Sequence, residues 1–229
     1  MLNNHLLSLL QLSDPTLPVG SYAHSAGLET YVQQGIVKDV ATVREFITEM
    51  LAQNIQYTDA AFVSLAYDAS ETNDIVRLIQ LDDECTAVKL PKEIRQASQK
   101  LGIRLIKIFD AIVEDSISTQ YKRAIQQQKA SGHYCIAFGI YAKALNISKE
   151  EALTGFYYNA AVGMVTNSVK LVPLGQQDGQ RILFSLQPLI TTLVERSLNP
   201  DMDKIGLCCS GFDIRCMQHE QLYSRLYMS

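Results

Sequence analysis

The chain has 229 residues, with 20 basic side chains against 24 acidic ones and a net charge of −4. Without a Lys/Arg run, this balance argues against binding nucleic acid or an anionic membrane through a basic face. Hydrophobic residues make up 47% of the chain and can fill a substantial core, but no apolar run reaches the ~20 residues of a membrane span. The start, Met1 to His5, has neither the cationic stretch nor the cleavage site of a signal peptide, so the expectation is a soluble cytoplasmic protein.

Taken in order, Leu2, Leu6, Leu9 and Leu10 recur at helical spacing, with Leu7 and Leu12 broadening the stripe, and predict an apolar helix over about 1–12. Pro15 and Pro18 forbid its continuation and, with Gly20, make a rigid corner. A second helix is expected to start near His24 or Ser25 and to stop at Gly35, and Asp39 caps a third carrying Val43, Phe46, Ile47 and Met50. Ala60 to Ala66 is apolar on nearly every side and reads as a buried helix. Ile75, Leu78 and Ile79 mark a shorter one, followed by an acidic patch, Asp82 to Glu84. From Pro91, Ile94, Ala97, Leu101, Leu105, Ile108, Phe109 and Ile112 follow at steps of three and four, the pattern of a central core helix.

Tyr121, Ala124 and Ile125 outline a further helix that ends near Gly132, and Tyr134 to Leu145 forms the next, with Asn146 as its C′ residue. Ser148 and Glu151 make a capping box at the head of a long helix that Pro173 stops. Ile182 to Leu198 is one helical segment, broken or kinked at Pro188. Beyond Pro200 the pattern dissolves and returns weakly over Met217 to Leu226, so the tail, about 200–229, is expected to be mobile in isolation. No strand pair with hairpin chemistry is found, and the fold class is all-α: a single domain, 1–229, of roughly nine or ten helices.

His24, Ser25 and Glu29 have the residue types of a base, a nucleophile and an orienting acid. Triad members come from separate elements, however, and this local run reads better as a capped helix start. The histidines His5, His24, His133 and His219 show no HxH or HExxH spacing. Cys208, Cys209 and Cys216 with His219 hold soft and imidazole ligands, but adjacent cysteines chelate one ion awkwardly. With Cys85 and Cys135 they make an odd number without CxxC spacing and are read as reduced thiols. Neither Leu174 to Gln180 nor Phe138-Gly139 has the spacing or the lysine of a phosphate loop, so the chain itself is not expected to bind GTP or ATP. No catalytic, cofactor-binding or metal residue is assigned.

Three segments carry more than helix propensity requires. Gly102 lies inside the strong helix at a cost near ~1 kcal/mol relative to alanine, which a close packing contact accounts for. Leu171 to Gln176 is a second rigid corner. His219 to Ser229 ends the sequence with aromatics and an arginine, residue types favoured at interface anchors.

Together with Leu9 to Leu12 and Leu17 to Glu29, these segments resemble the UreF family of urease accessory proteins: the leucine-glutamine start, Leu-Pro-Val-Gly, Ser-x-Gly-Leu-Glu, the helix over Arg95 to Gly102, Val172 to Gln176, and an ending, His219-Glu220-Gln221-Leu222-Tyr223-Ser224-Arg225-Leu226-Tyr227-Met228-Ser229, similar to His-Glu-x-Gln-x-Ser-Arg-Leu-aromatic-x-Ser. The resemblance covers essentially the whole sequence. It implies an all-helical, non-enzymatic chaperone, a homodimer that pairs with UreD/UreH, recruits the GTPase UreG and serves GTP-dependent nickel insertion into apo-urease. Nickel and GTP would be handled by the partner complex. Carried over by position, Leu6 and Leu10 and the tail residues His219, Gln221, Ser224, Arg225, Leu226 and Tyr227 are candidates for the UreD/UreH interface. Pro18, Gly20, Tyr22, His24, Ser25 and Glu29 would shape that contact or a UreG-facing surface, and Pro173, Gly175 and Gln176 belong to the candidate partner surface. Family members usually carry Phe where this chain has Tyr227. The alternatives are an autonomous nickel metallochaperone using His and Cys side chains and, least favoured, a small hydrolase using Ser25.

Overall fold

A computed structural model describes residues 4–207 and 209–228, and among these the chain is all-helical, with no strand. Among the described residues there are twelve α-helices instead of nine or ten, because the segment over Ile182 to Leu198 is divided between two helices and a further helix forms over Ser210–His219. At the centre lie α4 (Asp59–Glu71) and α8 (Tyr134–Ala144). Both are rich in alanine, and at Gly139 a Cβ would sit 2.6 Å from the Val63 carbonyl oxygen, so the absence of a side chain there sets how closely the two backbones approach. Phe62, Phe138 and Tyr141 are fully enclosed around this contact.

α6 (Lys92–Phe109) packs on α8 in the same way. A Cβ on Gly102 would meet the Gly132 carbonyl oxygen at 2.1 Å and the Tyr134 nitrogen at 2.7 Å, which is the close contact that explains a glycine in this helix. Ile112 lies beyond the end of α6 and is exposed, so the periodic run overshoots the helix by one turn. The longest element, α9 (Lys149–Leu171), begins at the Ser148–Glu151 capping box. At 23 residues it is about 35 Å long and spans the molecule. Against it pack α1 (Asn4–Leu12), α2 (Leu28–Gln33), α3 (Val40–Glu49), α10 (Gln176–Ser185) and α11 (Gln187–Ser197). The capping box at Asp39 starts α3, and a π-helical turn, Met50–Ile55, extends it toward α4.

Several expectations are corrected. α5 (Ile75–Val88) runs through the acidic patch instead of ending before it. Asp82 is completely buried there: it accepts from the Tyr121 hydroxyl at 2.5 Å, where α7 (Ser116–Gln126) passes, and from the backbone N–H groups of Ser131, Gly132 and His133. A buried carboxylate with this many donors is a structural hub, not a solvated face. The segment over Ile182 to Leu198, expected to be broken or kinked at Pro188, is divided just before it between α10 and α11, and Pro188 sits inside the first turn of α11, where its missing N–H costs nothing. A regular helix, α12 (Ser210–His219), forms where the sequence pattern dissolves, and most of the weakly periodic stretch Met217 to Leu226 lies beyond its end.

Candidate functional site

The corner after α1 is built by local hydrogen bonds. Asp14 accepts from the Thr16 backbone N–H and hydroxyl, both at 2.7 Å, and Leu17 N–H returns to the Asp14 carbonyl. Gly20 then takes φ +89°, and a Cβ there would collide with the Arg104 guanidinium, which donates to the Val19 carbonyl at 2.9 Å. Ser21–Ala23 makes one 3-10 turn that leaves Tyr22 exposed.

His24 and Ser25 do not begin a helix. His24 is extended, its carbonyl held by Asn167 Nδ2 at 2.9 Å, and Ala26 and Gly27 follow with φ +51° and +77°. Two successive left-handed residues are incompatible with a right-handed helix, so α2 starts only at Leu28, with Gly27 as its cap. Gly27 serves a second purpose: a Cβ there would lie 2.7 Å from Cys216 Sγ, and α12 therefore packs directly on this turn. Burial and the nearby Lys100 and Arg104 cations hold the His24 imidazole below its usual range.

Glu29 joins the corner to the end of the chain. It is 4% exposed, and its Oε1 accepts from the Leu226 backbone N–H at 2.7 Å. Its Oε2 accepts from Tyr227 N–H at 3.2 Å and lies 3.1 Å from His219 Nε2. The other ring nitrogen, His219 Nδ1, is 2.8 Å from Glu93 Oε2, at the start of α6, and Arg225 donates to Glu93 Oε1 at 2.7 Å. Two carboxylates, a fully buried imidazole and a guanidinium thus form one continuous cluster. With the imidazole doubly protonated, every oxygen in it faces a donor and the charges sum to zero.

Three further bonds extend the contact. Met228 N–H donates to the Ala23 carbonyl at 2.8 Å, Gln33 Nε2 to the Ser224 carbonyl at 3.2 Å, and Gln34 Nε2 to Gln218 Oε1 at 3.0 Å. The segment expected to be mobile in isolation is thus docked along the corner, with the Tyr227 ring buried and Tyr223, Leu226 and Met228 outside. Gln221, Ser224 and Arg225 are also on the outer side. Tyr227 Oη is enclosed without a hydrogen-bond partner among the described residues.

This arrangement changes the reading of His24, Ser25 and Glu29. Both Glu29 oxygens are taken by the tail, so Glu29 does not orient His24, and Ser25 is buried at 1% exposure. For the metal alternative, both ring nitrogens of His219 are engaged by carboxylates, and burial pushes the Cys216 thiol up, against the thiolate a metal requires. Cys208 lies outside the described residues, as does Ser229. Among the described residues, no three His, Cys, Asp or Glu side chains form a group able to hold a metal ion.

Two predicted pieces stand elsewhere. Leu6 and Leu10 are exposed on α1, whose other face puts Leu9 and Ser13 against Gly155 of α9. Pro173, Gly175 and Gln176 are exposed at the α9–α10 junction, and Gly175 N–H bonds locally to Asp178 at 3.2 Å. Sequence reasoning missed Glu93, although Glu93, His219 and Arg225 carry complementary charges that signal a pairing once the tail is taken as docked.

Behind the corner a cavity of about 300 Å³ opens between Tyr22, His24 and Ser25 on one side and Asp59 and Lys89 on the other. The Lys89 ammonium, buried to 7% exposure, contacts both Asp59 oxygens, at 2.9 and 2.8 Å. Burial alone would raise the Asp59 carboxyl, but Lys89 outweighs it and holds it below the usual range.

The sequence model of the UreF family matches residues 37–187. Among similar curated proteins, all named urease accessory protein UreF, one from Actinobacillus pleuropneumoniae serotype 5b (strain L20) is 51% identical over 97% of this chain and 98% of its own length. One from Haemophilus influenzae (strain ATCC 51907 / DSM 11121 / KW20 / Rd) is 48% identical over 97% and 94%, and one from Bacillus sp. (strain TB-90) is 35% identical over 99% and 100%.

Proposed function

This chain belongs to the UreF family of urease accessory proteins and so has a role in urease maturation; within that role we propose that it acts as a non-catalytic scaffold. It pairs with UreD/UreH, recruits the GTPase UreG and positions it for GTP-dependent nickel insertion into apo-urease. Nickel is cargo and GTP is the substrate of UreG, and neither is bound directly by this chain. It works as a homodimer in the cytoplasm. No helix of the described residues is long and apolar enough to cross a membrane.

The observation that carries this reading is the corner docked on the tail through Glu29. Buried hydrogen bonds fix the shape of that surface, while Tyr22, Tyr223, Leu226 and Met228 remain exposed beside it. A rigid frame presenting apolar and aromatic side chains is the composition of an interface hot spot. Because corner and tail are one surface, they serve one partner, UreD/UreH, and the exposed Leu6 and Leu10 of α1 supply a second patch for it.

The test is capture of co-expressed UreD/UreH. Deleting residues 221–229, or combining Leu6→Asp with Leu10→Asp, leaves the helical circular dichroism intact and weakens capture by about tenfold or more, as expected for loss of at least one anchor cluster. Undiminished capture by both variants refutes the assignment of these surfaces.

A further inference from the structure

Cys85 of α5 and Cys135, in the first turn of α8, lie with their sulfurs 3.6 Å apart and are both completely buried. They are 50 residues apart in sequence, so the fold alone brings them together. The separation is van der Waals contact between sulfurs, and a disulfide requires them to close to ~2.05 Å. We propose that Cys85 and Cys135 form a peroxide-reactive dithiol, in which Cys85 is oxidised and Cys135 resolves it to an intramolecular disulfide that ties α5 to α8.

The surroundings distinguish the two sulfurs. Burial raises the Cys85 thiol, but the Cys135 thiol, the His133 ring and the Lys89 ammonium together outweigh it and bring it down to about 6. Cys135 is pushed well above its ordinary range by burial and by its neighbour. Cys85 is thus the more acidic of the two sulfurs and Cys135 the less acidic, the division of labour between an attacking and a resolving cysteine. His133 is held in place by Thr86 and Ser98, at 2.9 and 3.0 Å from its two ring nitrogens. The cavity behind the corner is lined by Val88 and Lys89, one turn beyond Cys85, and by Tyr134, next to Cys135, and in the proposed reaction peroxide approaches the buried pair from this side. Its volume of about 300 Å³ admits hydrogen peroxide, a molecule little larger than water.

The chemistry balances with hydrogen peroxide as the oxidant. The Cys85 thiolate attacks one peroxide oxygen, the O–O bond breaks, and the departing hydroxide takes up the proton that Cys85 lost on ionising. This gives Cys85 sulfenic acid and water. The Cys135 sulfur then attacks the Cys85 sulfur and passes its proton to the leaving hydroxyl. The S–O bond breaks, the S–S bond forms and a second water departs. Two electrons leave the sulfur pair and reduce the peroxide.

The experiment treats the full chain at neutral pH with a small molar excess of hydrogen peroxide, followed by denaturation, alkylation and peptide mass spectrometry. The expected product is a Cys85–Cys135 linked pair, lighter by two hydrogens and restored by dithiothreitol, with a raised melting temperature. In Cys135→Ala a dimedone adduct accumulates on Cys85, whereas in Cys85→Ala Cys135 stays reduced at the same dose. The wild-type result does not depend on either variant folding. If Cys85 and Cys135 are both still alkylated in the treated wild type, or if oxidation falls on Cys208, Cys209 or Cys216 instead, the proposal is overturned.

Discussion

Replacing Glu29 with Gln keeps the size of the side chain and removes the charge that holds the tail. In the native cluster the carboxylate accepts from Leu226 N–H, Tyr227 N–H and His219. An amide offers one oxygen and turns an NH2 toward the remaining donors. Each hydrogen bond to a charged group is worth about 1.5–3 kcal/mol, and breaking a buried charged contact from one side costs about 3–5 kcal/mol. Glu29 also sits in the first turn of α2, where its charge favours the helix dipole by only ~0.3–1 kcal/mol, so loss of tail contacts dominates. At ~1.4 kcal/mol per tenfold, a loss of about 3 kcal/mol lowers the docked-to-undocked ratio of the tail on the order of 100-fold. Hydrogen–deuterium exchange with mass spectrometry reads this directly. Peptides spanning 222–228 exchange much faster in Glu29→Gln, while those from α4 and α8 keep their protection. Equal protection of the tail in variant and wild type refutes the latch.

Two further substitutions probe the same framework. Gly102→Ala places a methyl group against the backbone of Gly132 to Tyr134, which cannot swing aside as a side chain can. It costs about 3 kcal/mol by overpacking, seen as a melting temperature ~10 °C lower in a thermal scan. Tyr227→Phe removes a hydroxyl that has no hydrogen-bond partner among the described residues while keeping the buried ring. Chemical denaturation gives it equal stability or a gain of up to about 1 kcal/mol, and a clear loss shows that the hydroxyl has a partner.

Local chemistry was legible in the sequence, and contacts between distant segments were not. The caps at Asp39 and Ser148, the left-handed Asn146 and the enclosed helix around Ala60 to Ala66 follow from neighbours a few residues away. In the sequence Asp82 stands out only as one of three acids in a patch, because its four donors lie 39 to 51 residues downstream. The helix expected from His24 fails at Ala26, an alanine in a left-handed conformation that no local propensity suggests. The corner and the tail were each singled out, one for its prolines and the other for its aromatics and arginine. That they form one site depends on Glu29 meeting residues 190 to 198 positions away.

That separation has a consequence for biosynthesis. A chain emerging from the ribosome at about 5–20 residues per second folds its early helices first. Glu29 cannot receive Leu226 and Tyr227, 197 and 198 positions further along, until translation has reached them. A nascent chain that has not reached Leu226 would thus display the corner without the segment that docks on it. Leu6 and Leu10 are on the chain long before that, whereas the docked edge exists only once both of its segments have been made, so its assembly is tied to the order of synthesis.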